Sequence, residues 1–118
     1  PAERRSFSEV VPENLFQGLL PPATGEVANT LLRHRNLLIE RIVSSARLES
    51  TLYDQVQDEW VLLLEGRATL DLAGQTLTLG PGDHLFIPAH TPHRLLQTSG
   101  EPPCLWLAVH LHPDGTQV

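Results

Sequence analysis

One stretch decides the fold of this chain: residues 53–66, which read YDQVQDEWVLLLEG. Its centre, residues 60–64, is the apolar run WVLLL, which is too short and too sharply bounded for a helix. Glu65 and Gly66 follow it as a turn signal. The stretch therefore predicts a buried β-strand that ends in a tight turn.

Strand-like segments continue on both sides of this stretch. Residues 67–72 and 76–79 alternate polar and apolar side chains, as half-buried strands do, and a glycine turn separates them. Short strands at close spacing, with Gly and Pro turns between them, predict an all-β sandwich or barrel. Further strands are predicted at 37–43, 47–53, 84–87, 91–98 and 105–111.

The first 36 residues follow a different pattern. Residues 14–20, NLFQGLL, form an apolar cluster that we expect to pack on the domain or on a partner subunit. Thr24 stands where a helix N-cap belongs, and the apolar residues of 26–34 predict a short helix with one apolar side. We expect an N-terminal extension over 1–36 and a single barrel over 37–118.

Two pieces of the sequence resemble the two motifs of the cupin family. In the quoted stretch, Glu59 and Gly66 keep the spacing of the acidic residue and the glycine that end the first motif. Further along, Gly82, Pro88 and His93 match the glycine, proline and histidine of the second motif. Within the family, the strings DEWVLLLEG (58–66) and IPAHTPHR (87–94) resemble those of small single-domain bacterial cupins of poorly known role. The resemblance implies a double-stranded β-helix, or jelly-roll barrel, that forms a homodimer.

The chain also departs from the cupin motifs. Tyr53 and Gln55 replace the two histidines of the first motif. Of the four usual metal ligands of the family, the resemblance therefore leaves Glu59 and His93. Three further motif positions, usually Gly, Gly and Asn, hold Arg47, His90 and Gln97.

The remaining motif positions predict a polar site inside the barrel. Alternate side chains of a strand share a face, so Tyr53, Gln55 and Glu59 point the same way. The resemblance implies that they point inward, where His93 joins them from a neighbouring strand. Imidazole and carboxylate suit Zn²⁺, Fe²⁺, Mn²⁺ or Ni²⁺, and an amide oxygen and a phenol are weaker ligands. We therefore expect these four residues to hold a divalent metal ion.

The same four residues also suit chemistry without a metal. Glu59 and His93 can form a catalytic acid–base pair, with Tyr53 as an acid and Gln55 orienting a small polar molecule. Alternatively, these side chains merely satisfy one another through water. Three functions stay open: an enzyme acting on a small polar metabolite, a non-catalytic binding or sensing module, and a structural protein with a vestigial site. The fold alone does not choose among them.

The other histidines are weaker candidates. His110 and His112 share a strand face with Trp106 and Ala108, while leucines and a valine take the opposite face, and the pattern leaves open which face lines the core. Outside the cavity we expect His84, His90, Glu40, Arg41, Arg94 and Trp60.

Charge and composition exclude several partners. Eight basic residues against fourteen acidic ones give a net charge of -6, which argues against nucleic acid and anionic membrane surfaces. The single cysteine, Cys104, allows no internal disulfide and is typical of a reducing compartment, so we expect a cytoplasmic protein. No apolar run reaches the roughly 18 residues of a membrane span, and residues 1–9 contain no apolar signal core.

Overall fold

The computed structural model describes residues 10–49 and 51–118. This part of the chain forms eight β-strands and no helix, so the all-β prediction is confirmed. The strands are β1 (Glu26–His34), β2 (Leu37–Ser44), β3 (Asp58–Glu65), β4 (Ala68–Leu72), β5 (Gln75–Leu79), β6 (His84–Ile87), β7 (His93–Thr98) and β8 (Cys104–Leu111).

Two antiparallel sheets face each other. The larger sheet has five strands in the order β1-β2-β8-β3-β6, and the smaller has three in the order β5-β4-β7. Strands far apart in sequence, such as β2 and β8, pair along their whole length. This crossing over between distant strands is typical of a jelly roll and confirms the predicted barrel.

The core lies between the sheets. Along β3 burial alternates, and Val61 and Leu63 point inward while Trp60 stays on the outer face against His84. Ala68 and Leu70 of β4 close the core from the smaller sheet. The period-two pattern that predicted these strands thus also decides which side chains are buried.

The predicted helix over 26–34 is wrong, because these residues form β1. They pair with β2 in a long antiparallel hairpin, from Glu26 opposite Ser44 to His34 opposite Leu37. The backbone hydrogen bonds of this hairpin outweigh a helical pattern that rested on three apolar positions. The predicted strand over 47–53 is also wrong, since among the residues of that segment that the structure describes only Tyr53 pairs with another strand, through an isolated bridge to His93.

The apolar segment 14–20 is tied to the sheet through Arg41. The Arg41 guanidinium donates to the backbone carbonyls of Leu15 and Gln17 and to Oδ1 of Asn29. Arg41, which we expected outside the cavity, is not among the residues that line it and instead holds this segment against the sheet. Phe16 stays half exposed, so the apolar side of this segment is largely uncovered in one chain. Within the described ranges, no helix is long and apolar enough to cross a membrane.

Candidate functional site

A cavity of about 280 Å³ opens between the two sheets. Its floor is apolar and continuous with the core, and includes Val61, Leu70, Ile87 and Trp106. All four predicted site residues line this one cavity. Its polar lining comes from five strands and the loop before β3: Glu26, Glu40, Tyr53, Gln55, Glu59, His93, Arg94 and His110.

Glu59 is the buried carboxylate of this cavity. It lies on the inner face of β3 and is 8% exposed. Its Oε1 is 3.9 Å from His93 Nε2, and its Oε2 is 3.9 Å from His110 Nε2. Burial, followed by the negative charges of Glu26 and Glu40, raises the pKa of Glu59 to about 7. Glu59 therefore exchanges its proton near neutral pH.

His93 presents a free nitrogen to the cavity. Its Nδ1 lies 2.9 Å from the carbonyl oxygen of Thr91. Because a carbonyl only accepts hydrogen bonds, Nδ1 carries the proton of the neutral ring and Nε2 keeps its lone pair. Nε2 is also the atom nearest to the Glu59 carboxylate. This tautomer is the one that a metal ligand or a general base requires.

Tyr53 stands beside His93 at the cavity mouth. The two backbones exchange hydrogen bonds of 2.8 and 2.9 Å, and the two rings stack with centroids 5.6 Å apart. Burial, followed by the charges of Glu26 and Glu59, raises the pKa of Tyr53 above its usual value. The phenol therefore keeps its proton and serves as a hydrogen-bond donor.

Gln55 contributes an acceptor whose hydrogen-bonding capacity is unused. Its Oε1 is buried and has no hydrogen-bond partner among the residues that the structure describes. The backbone is held in place nearby, since the N–H of His90 donates to the Gln55 carbonyl at 2.7 Å. A buried acceptor without a partner costs about 1–3 kcal/mol. A donor or a cation in the cavity would relieve this cost.

Two residues that the sequence did not place in the site, His110 and Glu40, also face the cavity. His110 Nε2 lies 2.9 Å from Glu40 Oε1, and its Nδ1 lies 3.2 Å from the side-chain nitrogen of Gln57. His110 is buried, and this burial lowers its pKa even though Glu40 acts in the opposite direction. The face of β8 that carries Trp106 and His110 is thus the inner one. The expectation that Glu40 lies outside the cavity is wrong.

A third carboxylate enters the cavity from β1. Glu26 belongs to the exposed edge strand, but its carboxylate lines the cavity and accepts a hydrogen bond of 2.8 Å from Ser44 Oγ. Ser44 Oγ in turn accepts one of 3.0 Å from the indole nitrogen of Trp106. Desolvation is the main cause that raises the pKa of Glu26. The cavity wall therefore carries three carboxylates that repel one another.

The other residues singled out in the sequence lie at different distances from the cavity. His84 lies at the exposed start of β6, and His90 lies on the rim, with its Nδ1 3.4 Å from Asp54 Oδ1. The prediction that Arg94 points away from the cavity is wrong, because Arg94 is one of the lining residues. Cys104 is fully buried at the start of β8.

The cavity contains the types of ligand atom that bind divalent cations. Imidazole nitrogen, carboxylate oxygen and amide oxygen all serve as metal ligands. The Glu59 oxygens lie 3.9 Å from His93 Nε2 and from His110 Nε2. Two ligand atoms that are each 2.0–2.1 Å from a tetrahedral ion are closer together, about 3.3 Å apart. In 10–49 and 51–118, no three His, Cys, Asp or Glu side chains are already positioned to hold a metal ion. The side chains must therefore approach one another by about half an ångström to bind one.

Comparison with known proteins identifies the family. The model of the cupin domain matches residues 42–110, which is more than half of the chain and includes Gln55, Glu59, His93 and His110. This chain belongs to the cupin family. No curated protein matches it.

Solved structures of other proteins resemble the fold of this chain over most of its length. A protein of Ralstonia eutropha JMP134, provisionally named a mannose-6-phosphate isomerase, is 36% identical, with a TM-score of 0.79 over 88% of this chain and 100% of its own. The SPY1581 protein of Streptococcus pyogenes, of unknown function, is 21% identical, with a TM-score of 0.73 over 93% of this chain and 92% of its own. The Fe(II) form of HppE is 19% identical, with a TM-score of 0.65 over 74% of this chain and 50% of its own, and shares the fold.

Proposed function

We propose that this cupin binds a divalent metal ion and a small polar metabolite in the barrel cavity and acts on that metabolite as an enzyme. The observation that carries the proposal is the pairing of His93 and Glu59. The free Nε2 of His93 and the buried Glu59 carboxylate lie 3.9 Å apart in a cavity that also contains Gln55 Oε1, which has no hydrogen-bond partner in the part of the chain that the structure describes.

The negative charge of the cavity supports the binding of a cation. Glu26, Glu40 and Glu59 line the same cavity, and their mutual repulsion adds to the burial that raises the pKa of Glu59. A divalent ion offsets this repulsion and gives the Gln55 oxygen a partner. His93, Glu59 and Gln55 would hold the ion, and it would polarise a carbonyl or hydroxyl oxygen of the bound metabolite.

The other lining residues would bind and orient the metabolite. Tyr53 keeps its proton and stands at the mouth, so it can donate a hydrogen bond or a proton to a polar group. The apolar floor excludes water below the reacting atoms. The Ralstonia relative supports a small, polyhydroxylated metabolite and proton-transfer chemistry, because its provisional name is that of a sugar-phosphate isomerase.

We also propose that the protein is a cytoplasmic homodimer. All nine residues of the edge strand β1 are exposed in the single chain, among them Val27, Leu31 and Leu32. A strand with apolar side chains and an unpaired edge is a surface suited to a second subunit. The buried free thiol of Cys104 agrees with a reducing compartment.

A second candidate function is acid–base chemistry without a metal. Glu59, with a pKa of about 7, can both take up and release a proton at physiological pH, and His93 Nε2 lies 3.9 Å from its carboxylate. The two candidates differ in one respect that can be measured, which is whether the intact protein contains metal.

Elemental analysis tests the proposed metal site. Protein purified without an affinity tag or chelator, and then incubated with Zn²⁺ or Mn²⁺ and desalted, is expected to retain about one metal ion per chain. The variants Glu59→Gln and His93→Gln are expected to retain less than a tenth of that amount, because each replaces a strong ligand with a weak neutral amide. His90→Gln is the matched control, since His90 is an exposed rim histidine, and it should retain the wild-type amount. Less than a tenth of an ion per chain in the wild type would contradict the metal site and leave the acid–base pair.

A further inference from the structure

The first cupin motif of this chain has lost both of its histidines, but the cavity still contains two imidazoles. Tyr53 and Gln55 occupy the motif positions. The second imidazole is His110, which comes from the last strand, β8, and lies outside both motifs. His110 and Glu59 are direct partners in the β3–β8 ladder, so the two side chains extend from neighbouring points into the same cavity.

The two histidines flank Glu59 symmetrically. His93 Nε2 lies 3.9 Å from Oε1 of Glu59, and His110 Nε2 lies 3.9 Å from Oε2. One imidazole comes from each sheet, and the carboxylate lies between them. Two imidazoles and one carboxylate form a common protein ligand set for divalent transition metals.

The surroundings of His110 let its Nε2 serve as a ligand. Nε2 of His110 faces Glu40 Oε1 at 2.9 Å, while Nδ1 faces the amide of Gln57 at 3.2 Å. An amide can donate or accept, so after a half-turn the oxygen of Gln57 accepts from Nδ1–H. The imidazole then carries its proton on Nδ1, and its Nε2 lone pair is free. Gln57 thus does for His110 what the Thr91 carbonyl does for His93.

We propose that His110 takes the place of the lost motif histidines, so that His93, Glu59 and His110 form the protein ligands of the metal, with the Gln55 amide oxygen beside them. This inference rests on the proposed function, because it specifies the ligands of the same metal. Gln57 is a positioning residue that holds the ring of His110 toward Glu59 through Nδ1, whereas Glu40 must release Nε2 when the metal binds. Residues inherited from the two motifs alone would give one histidine ligand instead of two.

Counting the coordinated histidines tests this inference. The protein is loaded with one equivalent of Cu²⁺, and pulsed electron paramagnetic resonance measures how many imidazoles bind the ion. Two are expected in the wild type and one in each of the variants His110→Gln and His93→Gln. The matched control is His112→Gln, whose ring lies 6.5 Å from that of His110, and it should keep two. The affinity for Zn²⁺ is expected to fall at least tenfold in His110→Gln.

The outcomes separate this inference from the proposed function. One coordinated imidazole in the wild type, unchanged in His110→Gln, overturns the role of His110 and leaves the metal site. Failure of the wild type to bind either Cu²⁺ or Zn²⁺ overturns the proposed metal site, and the inference with it. The wild-type count is decisive even if His110→Gln does not fold.

Discussion

Replacing Gly66 with alanine is expected to lower the free energy of unfolding by about 3–4 kcal/mol, which is a large part of the stability of a domain of this size. Gly66 ends the turn after β3 with φ +91, a conformation that L-residues adopt only with strain. An added Cβ would also lie 2.9 Å from the Cα and Sγ of Cys104 and 2.9 Å from Ser99 Oγ. Cys104 is fully buried, so the backbone there cannot give way cheaply.

Gly74 provides the matched control. It has nearly the same φ, +88, but a Cβ added there would meet nothing within 4 Å. Gly74→Ala should therefore cost only the backbone strain, about 1–2 kcal/mol. Urea denaturation of the two variants and the wild type measures the difference. If Gly66→Ala proved no more destabilising than Gly74→Ala, the close packing of the turn against β8 would be wrong.

Replacing Glu59 with glutamine is expected to change how stability depends on pH in the metal-free protein. The folded state holds the Glu59 proton with a pKa of about 7, while an unfolded glutamate has a pKa near 4.5. Between these values the folded state binds more protons than the unfolded state, so the stability contributed by Glu59 falls as pH rises from 4.5 to 7 and stays low above 7. The shift corresponds to about 3 kcal/mol in total.

The measurement is the free energy of unfolding in urea, with a chelator present, at pH 5 and pH 8. Relative to Glu59→Gln, the wild type should lose about 2–3 kcal/mol between these two pH values. The difference between the two proteins removes most of the contribution of His110 to the pH dependence of stability. Because the pKa of His110 is lowered in the folded state, its contribution to stability rises with pH below pH 6.5, opposite to that of Glu59. Glu13→Gln, at an exposed position, is the control and should follow the wild type. Parallel pH curves for the wild type and Glu59→Gln would show that Glu59 does not carry a buried proton.

The strands around residue 59 could be predicted because local pattern and tertiary environment agree there. The alternation of β3 and β4 reflects a sheet with one buried face, and the glycine of the 65–66 turn has a φ that requires glycine. The motif spacing, through the resemblance to cupins, also predicted the barrel and the inward direction of Glu59. These features depend on neighbours close in sequence or on the resemblance.

Other features depend on pairings between distant strands, which local pattern does not reveal. Both faces of β8 carry apolar residues, so the inner face follows only from its pairing with β2 and β3, and that pairing brings His110 into the cavity. The pairing of β2 with β8 in the same sheet also places Glu40 at the cavity. The strand β1 was mistaken for a helix because its apolar positions follow no strict alternation, and its state is determined by the hairpin with β2.

Locating the divalent ion in a crystal tests directly whether His93 and Glu59 bind it. Crystals grown with Mn²⁺ or Zn²⁺ would be measured at the absorption edge of the metal, and an anomalous difference map would show its position. We expect one peak in the cavity, within about 2.0–2.2 Å of His93 Nε2 and of a Glu59 carboxylate oxygen. A well-ordered cavity without a peak, or a metal held only at surface residues such as His84 or His90, would contradict the proposed metal site.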